Sequence, residues 1–213
     1  DGFGGHGFHR SSFYDDGSGF GGFGGFGGHG SAGFDQKGQD LNASVSVTFD
    51  EAAFGCDKRI TLQDQSGKAQ TLEVHIPAGI DSGKSIRLRG KGMPGTGKGG
   101  AGDLLLKVTV QPKAGYERKG MDVYTTVSIP YTTAVFGGEA RVHTLYGDVM
   151  CKIKEGTQSG SRIRLRGKGI VSMKDANVHG DQYVTVQIQV PRHLNAEARQ
   201  KLMEYKKAAA GGR

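Results

Sequence analysis

The 213-residue chain has no Trp, five Pro and two Cys. Cys56 and Cys151 lie 95 positions apart, so they cannot build a disulfide scaffold. Neither belongs to a CxxC pair, which leaves out a structural zinc site of that type. Two unpaired Cys fit a reducing compartment, and a cytoplasmic protein is expected. No apolar run approaches the roughly 18–20 residues that span a bilayer, so no membrane partner is expected. No charged-then-apolar leader opens the chain. It begins at Asp1, not Met, and reads as a piece of a longer protein.

Arrangements that carry chemistry are also scarce. No paired carboxylates and no nucleophile–His–acid constellation stand out. The seven His show no metal-ligand spacing: His6 and His29 lie in a Gly-rich stretch, and His75, His143 and His193 are isolated from one another. Cys56 and Cys151 read as small strand residues, since no neighbouring His marks either as a nucleophile. The segment Gly92-Met-Pro-Gly-Thr-Gly-Lys-Gly99 nearly matches a phosphate loop. However, Gly99 replaces the hydroxyl residue that would hold Mg²⁺, and no helix follows to offer its N-terminus. It reads as a loop between strands. No enzyme activity, cofactor or metal is expected.

Glycine is plentiful and unevenly placed. Fourteen of the 38 Gly and seven of the ten Phe fall within residues 1–34, a stretch of net charge −2. Phe3, Phe8, Phe13, Phe20, Phe23, Phe26 and Phe34 are isolated rings in glycine, and no window keeps a helical or strand period. Single rings cannot offset the entropy lost on ordering so much glycine. Residues 1–36 are therefore expected to be a disordered linker. The remaining chain carries 27 Lys+Arg against 18 Asp+Glu, net +9, and is expected to fold.

From Leu41 the pattern becomes that of strands. Leu41, Ala43, Val45, Val47 and Phe49 alternate with polar residues. Further alternating or β-branched runs follow at 58–63, 70–76, 85–89, 104–110, 122–129, 140–145, 149–153, 161–166 and 182–190, separated by Gly-containing turns. The body also repeats itself. Residues 79–92 recur at 156–169, each ending Ile-Arg-Leu-Arg-Gly-Lys-Gly. Phe49-Asp-Glu-Ala-Ala-Phe-Gly55 recurs as Tyr131-Thr-Thr-Ala-Val-Phe-Gly137, and Gly102-Asp103 as Gly180-Asp181. An all-β protein of two tandem sandwich-like domains is expected, at 37–112 and 113–192. Residues 193–213 are expected to hold a short helix, with Asn195 as N-cap and Ala198, Leu202 and Tyr205 as its narrow apolar stripe.

The Gly/Phe stretch, the motif ending Phe54-Gly55, Gly102-Asp-Leu-Leu-Leu-Lys-Val108, Tyr116-Glu-Arg-Lys-Gly-Met-Asp122, His143-Thr-Leu-Tyr-Gly147 and the two Arg-Leu-Arg-Gly-Lys-Gly loops occur in one order. Together they resemble the carboxyl-terminal two thirds of DnaJ-type J-domain co-chaperones. The J-domain and its His-Pro-Asp tripeptide are missing. So are the four CxxCxGxG zinc repeats of class A; Thr61 to Thr71 holds only a short hairpin. The resemblance is thus to the zinc-free class B. It implies a co-chaperone that binds unfolded clients and delivers them to the 70-kDa heat-shock chaperone, and that pairs as a homodimer through Ala198, Leu202 and Tyr205. Tyr146 stands where the family usually has Asp, and no function attaches to it.

Taken alone, Val45, Lys58, Ile60, Leu62, Leu72 and Val74 could all point into a sandwich core. The resemblance implies instead that Val45, Lys58, Ile60, Leu62, Lys68, Leu72 and Val74 form an apolar groove with a Lys rim. That groove would take extended clients and the partner chaperone's acidic tail. The twin loops offer an alternative. Arg87, Arg89, Lys91, Arg164, Arg166 and Lys168 could contact DNA non-specifically, as nucleoid-associated relatives in the family do. No stacking aromatics stand between these Arg, and no recognition helix accompanies them.

Overall fold

The computed structural model describes residues 35–63 and 69–211. The expected linker, apart from its last two residues, and Lys68 lie outside the described residues.

The first repeat opens with strand β1 (Leu41–Val47), which alternates as expected. Phe49 does not extend that strand: it starts a six-residue helix, α1 (Phe49–Phe54). The cause is local. Thr48 is extended, and its hydroxyl accepts from the Glu51 N–H at 3.2 Å. The Glu51 carboxylate in turn accepts from the Thr48 N–H at 2.8 Å. This reciprocal capping box satisfies two otherwise orphaned donors and starts a helix where alternation alone would continue a strand. Strands β2 (Cys56–Gln63), β3 (Ala69–Ile76), β4 (Ser85–Leu88) and β5 (Leu104–Val110) follow. β2 and β3 form an antiparallel hairpin with Ile60 opposite Leu72 and Thr61 opposite Thr71. β1 runs parallel to β5, and β4 antiparallel to it, in the order β1-β5-β4.

The second repeat reuses this plan. Strand β7 (Asp122–Pro130) leads into helix α2 (Tyr131–Phe136), then hairpin β8 (Gly138–Thr144) and β9 (Gly147–Ile153), then β10 (Arg162–Leu165) and β11 (Gln182–Gln189). One strand has no counterpart in the first repeat. β6 (Glu117–Lys119) pairs with residues 122–124 of β7 and extends the sheet to β10-β11-β7-β6.

In each repeat the mixed sheet faces the hairpin. Val47, Leu72, Val74, Ile76, Leu104, Leu106 and Val108 form the first core. Ile129, Ala140, Ile153 and Val186 form one part of the second, and Val142, Cys151 and Val184 another. Among the described residues the protein is all-β apart from the two short helices and a C-terminal helix, α3 (Ala196–Ala210). Asn195 caps α3 as expected, accepting from the Ala198 N–H at 2.7 Å. Among the described residues no helix is long and apolar enough to cross a membrane.

The repeats meet through a shared cluster. Phe49 and Ala53 of α1 pack with Val123 and Ile170, and Tyr116 and Leu145 lie against them. The Arg118 guanidinium, largely withdrawn from water, donates to the carbonyls of Ile80 (2.7 Å) and Gly79 (2.8 Å) and pairs with Asp81. The approach is close: a Cβ on Gly79 would sit 2.1 Å from the Val171 carbonyl oxygen.

Candidate functional site

The repeats differ in burial along the first strand of the hairpin. Leu41, Ala43 and Val45 of β1 and Ile60 and Leu62 of β2 pack onto the first core, yet all stay partly exposed. The strand positions equivalent to Lys58, Ile60 and Leu62 in β8 are Ala140, Val142 and Thr144. These are only 8%, 3% and 8% exposed. The second repeat thus covers these hairpin positions, while Val127 and Val149, the counterparts of Val45 and Leu72, stay partly exposed; the first repeat leaves its β2 positions as an open apolar seam. α1 joins the end of β1 to the start of β2. β1 and β2 are both edge strands, whereas part of the equivalent edge of β7 is taken by β6.

Two of the expected groove residues are core instead. Val74 is 1% exposed and Leu72 is buried beside it, because this face of β3 joins Val47 of β1 and Leu104, Leu106 and Val108 of β5 in one core. Val45, Ile60 and Leu62 remain accessible, and Lys68 falls outside the described residues. Leu41 and Ala43, not among the expected site residues, line the same seam.

Lys58 is half-buried and not free. Its ammonium lies 2.7 Å from Glu51 Oε1. Hydrogen bonding to Lys58, followed by the Thr48 backbone N–H, holds the Glu51 carboxyl below its ordinary pKa. The same hydrogen bond raises Lys58. Glu51 was legible only as the fourth residue of the Thr48-x-x-Glu51 box.

The twin basic loops share one structural device. Arg87 Nε donates to Asp103 at 2.7 Å, and the Gly90 N–H donates to the other carboxylate oxygen at 2.9 Å. In the second repeat Arg164 and the Gly167 N–H hold Asp181 at 2.6 and 2.8 Å. Asp40 and Asp122 accept from the backbone N–H groups of Asp103 and Asp181. These donors, the turn glycine's N–H first and the Arg second, keep both aspartates below the usual carboxylate range. The glycine before each aspartate is sterically required: a Cβ on Gly102 or Gly180 would lie 2.1 or 2.2 Å from a carbonyl oxygen.

Arg87 and Arg164 are therefore turn-fixing residues, and their charge is already matched by buried or nearly buried carboxylates. Both side chains are at the same time exposed, at 58% and 55%. Arg89, Lys91 and Arg166 are exposed. Aromatic rings do stand beside two of these cations: Tyr183, stacked on Tyr124, faces Arg164, and Tyr146 faces Lys168.

Tyr146 joins the repeats. Its ring meets Phe54 edge-on at 5.5 Å, and its hydroxyl donates to the Gly169 carbonyl at 2.9 Å. Phe136, the counterpart of Phe54, is 77% exposed. Along α3, Ala198 is partly covered while Leu202, Met203 and Tyr205 are exposed. Tyr205 hydrogen-bonds Tyr131 at the start of α2 and raises its pKa. Residues 92–99 form a turn-rich loop, with no helix after them.

The family model of the DnaJ C terminal domain matches residues 41–191. The chaperone protein DnaJ of Lachnospira eligens is 46% identical over 142 residues, 67% of this chain and 38% of that protein. The chaperone proteins DnaJ of Burkholderia pseudomallei and Burkholderia thailandensis are each 45% identical over 145 residues, 68% of this chain and 38% of theirs. The match thus spans little more than a third of each relative's length. With two β repeats inside the matched region, the chain belongs to the DnaJ C terminal domain family.

Proposed function

We propose that the chain is the client-binding part of a co-chaperone: it holds extended, non-native segments and passes them to a 70-kDa heat-shock chaperone. The observation that carries this is the contrast along one strand. Ile60 and Leu62 are half-open, while Val142 and Thr144, at the same places in the second repeat, are closed. An unfolded segment can pair its backbone with an edge strand while its apolar side chains enter the seam. Lys58 at the rim suits the acidic C-terminal tail of the partner chaperone. In this reading, residues 37–112 form the client-binding domain and residues 113–192 the domain that carries it. No chemistry on the client is required. The free thiols Cys56 and Cys151 suit the cytoplasm.

α3 buries none of its residues, and beyond the reach of Tyr205 to Tyr131 its stripe of Ala198, Leu202 and Tyr205 stays open, so a second copy would cover it. A two-fold pair of such helices is a closed arrangement. It would let two weak seams act on one client at raised effective concentration.

The test is suppression of aggregation of a chemically denatured client at physiological salt, run beside a DNA-retardation assay. Protection that is lost in Ile60→Ser supports the seam. DNA retardation at that salt without client protection would favour the basic loops and overturn it.

A further inference from the structure

The seam's basic rim residue is already occupied. Lys58 meets Glu51 at 2.7 Å, and each side chain is about a third exposed, at 30% and 31%. Glu51 is not held there by Lys58 alone. Its other carboxylate oxygen accepts from the Thr48 N–H, which pins it to the first turn of α1. The two charged residues also occur together. At the equivalent positions of the second repeat stand Thr133 and Ala140, so the pair is present where the seam is open and absent where it is closed.

Building on the seam reading above, we propose that Glu51 is a built-in competitor for the Lys58 ammonium and sets how acidic a ligand must be to dock there. A ligand with one weak carboxylate only exchanges one partner of Lys58 for another. A tail with several neighbouring carboxylates can engage Lys58 and still draw on the positive body around it, so it displaces Glu51. When displaced, Glu51 keeps its Thr48 N–H, so α1 stays capped while the rim is read.

Glu51→Gln isolates the competition, because Gln also serves at this position of a capping box. The probe is a synthetic peptide with four consecutive acidic residues and a free C-terminus, titrated against the full chain at low and high salt. Glu51→Gln is expected to bind about two- to fivefold tighter at low salt, the range of an exposed ion pair, with the gain shrinking as salt rises. Glu51→Gln combined with Lys58→Ala should bind no better than Lys58→Ala alone. Equal or weaker binding by Glu51→Gln, with thermal unfolding unchanged, overturns the competition and makes Glu51 a support for Lys58. If Lys58→Ala binds the peptide as the parent chain does, the role of Lys58 in the seam fails first, and the competition falls with it.

Discussion

Replacing Ile60 and Val142 by Ser, one at a time, separates a binding seam from a core. The two residues sit at the same point of homologous hairpins, so local strand geometry is matched. Burying a whole aliphatic side chain is worth about 1.5–3 kcal/mol. Ile60 is partly buried at the margin of the first core, so Ile60→Ser should cost about 1.5 kcal/mol. Its new hydroxyl can still reach water. Val142 is 3% exposed in the second core, against Cys151 and Val184. Val142→Ser loses its full transfer energy, leaves a cavity and buries a hydroxyl, for about 3 kcal/mol in all.

For a body of this size 1 kcal/mol moves the melting temperature by about 2–4 °C. Ile60→Ser should therefore melt about 3–6 °C lower and Val142→Ser about 6–12 °C lower. Differential scanning calorimetry gives these numbers. Client protection, measured well below both transitions, should follow the opposite order: lost in Ile60→Ser, kept in Val142→Ser. An Ile60→Ser protein as unstable as Val142→Ser would make Ile60 a core residue. A stable Ile60→Ser protein with full protection would place the client elsewhere.

Three further outcomes follow from named contacts. Arg118→Met leaves the Gly79 and Ile80 carbonyls without their charged donor, so it should cost about 2–3 kcal/mol and broaden the solution scattering profile as the repeats loosen. Asp103 titrates below its unfolded value, so the stability it contributes is complete above about pH 4 and disappears as pH falls through its lower folded value. Acid unfolding followed by circular dichroism should therefore show a shallower low-pH loss in Asp103→Asn, with lower stability at neutral pH. Truncation after Arg192 removes α3 and should give a folded monomer with weaker client protection, whereas light scattering of the intact chain should show a dimer. One chain's mass at every concentration of the intact protein would remove the dimer.

The strands were legible because each carries its own period: Leu41 to Val47 and Lys58 to Leu62 alternate regardless of what they face. α1 was hidden because Phe49 falls in phase with β1, and only the Thr48-x-x-Glu51 box reveals the switch. The Gly-Asp recurrence was visible, but its purpose was not. Asp103 meets Arg87 across 16 residues, through a pairing of β4 with β5 that only the fold supplies. The seam lay further still from the sequence. Ile60 and Val142 have the same local pattern, and which of them closes depends on packing from other strands. Lys58 and Glu51 lie seven residues apart on a strand and a helix, a spacing that signals nothing within either element alone.

The second repeat indicates how a seam of this kind is shut. Where the first core has Leu104 at the start of β5, the second has Gln182 at the start of β11, wholly buried. Its amide donates to Thr125 Oγ1 and to the His143 carbonyl, each at 2.9 Å. One side chain thereby ties the sheet to hairpin strand β8 with a directional bond, and Ala140, Val142 and Thr144 lie buried along that strand. Leu104 offers only apolar contact, which fixes no particular approach of the layers. On the first hairpin, Lys58 stands where the second has the buried Ala140, and it turns out to Glu51. The two repeats keep one frame, set by the Asp103 and Asp181 turns, and diverge at a few side chains between the layers. A hydrogen-bonding Gln with small neighbours closes one seam; a Leu with a Lys at the rim leaves the other open.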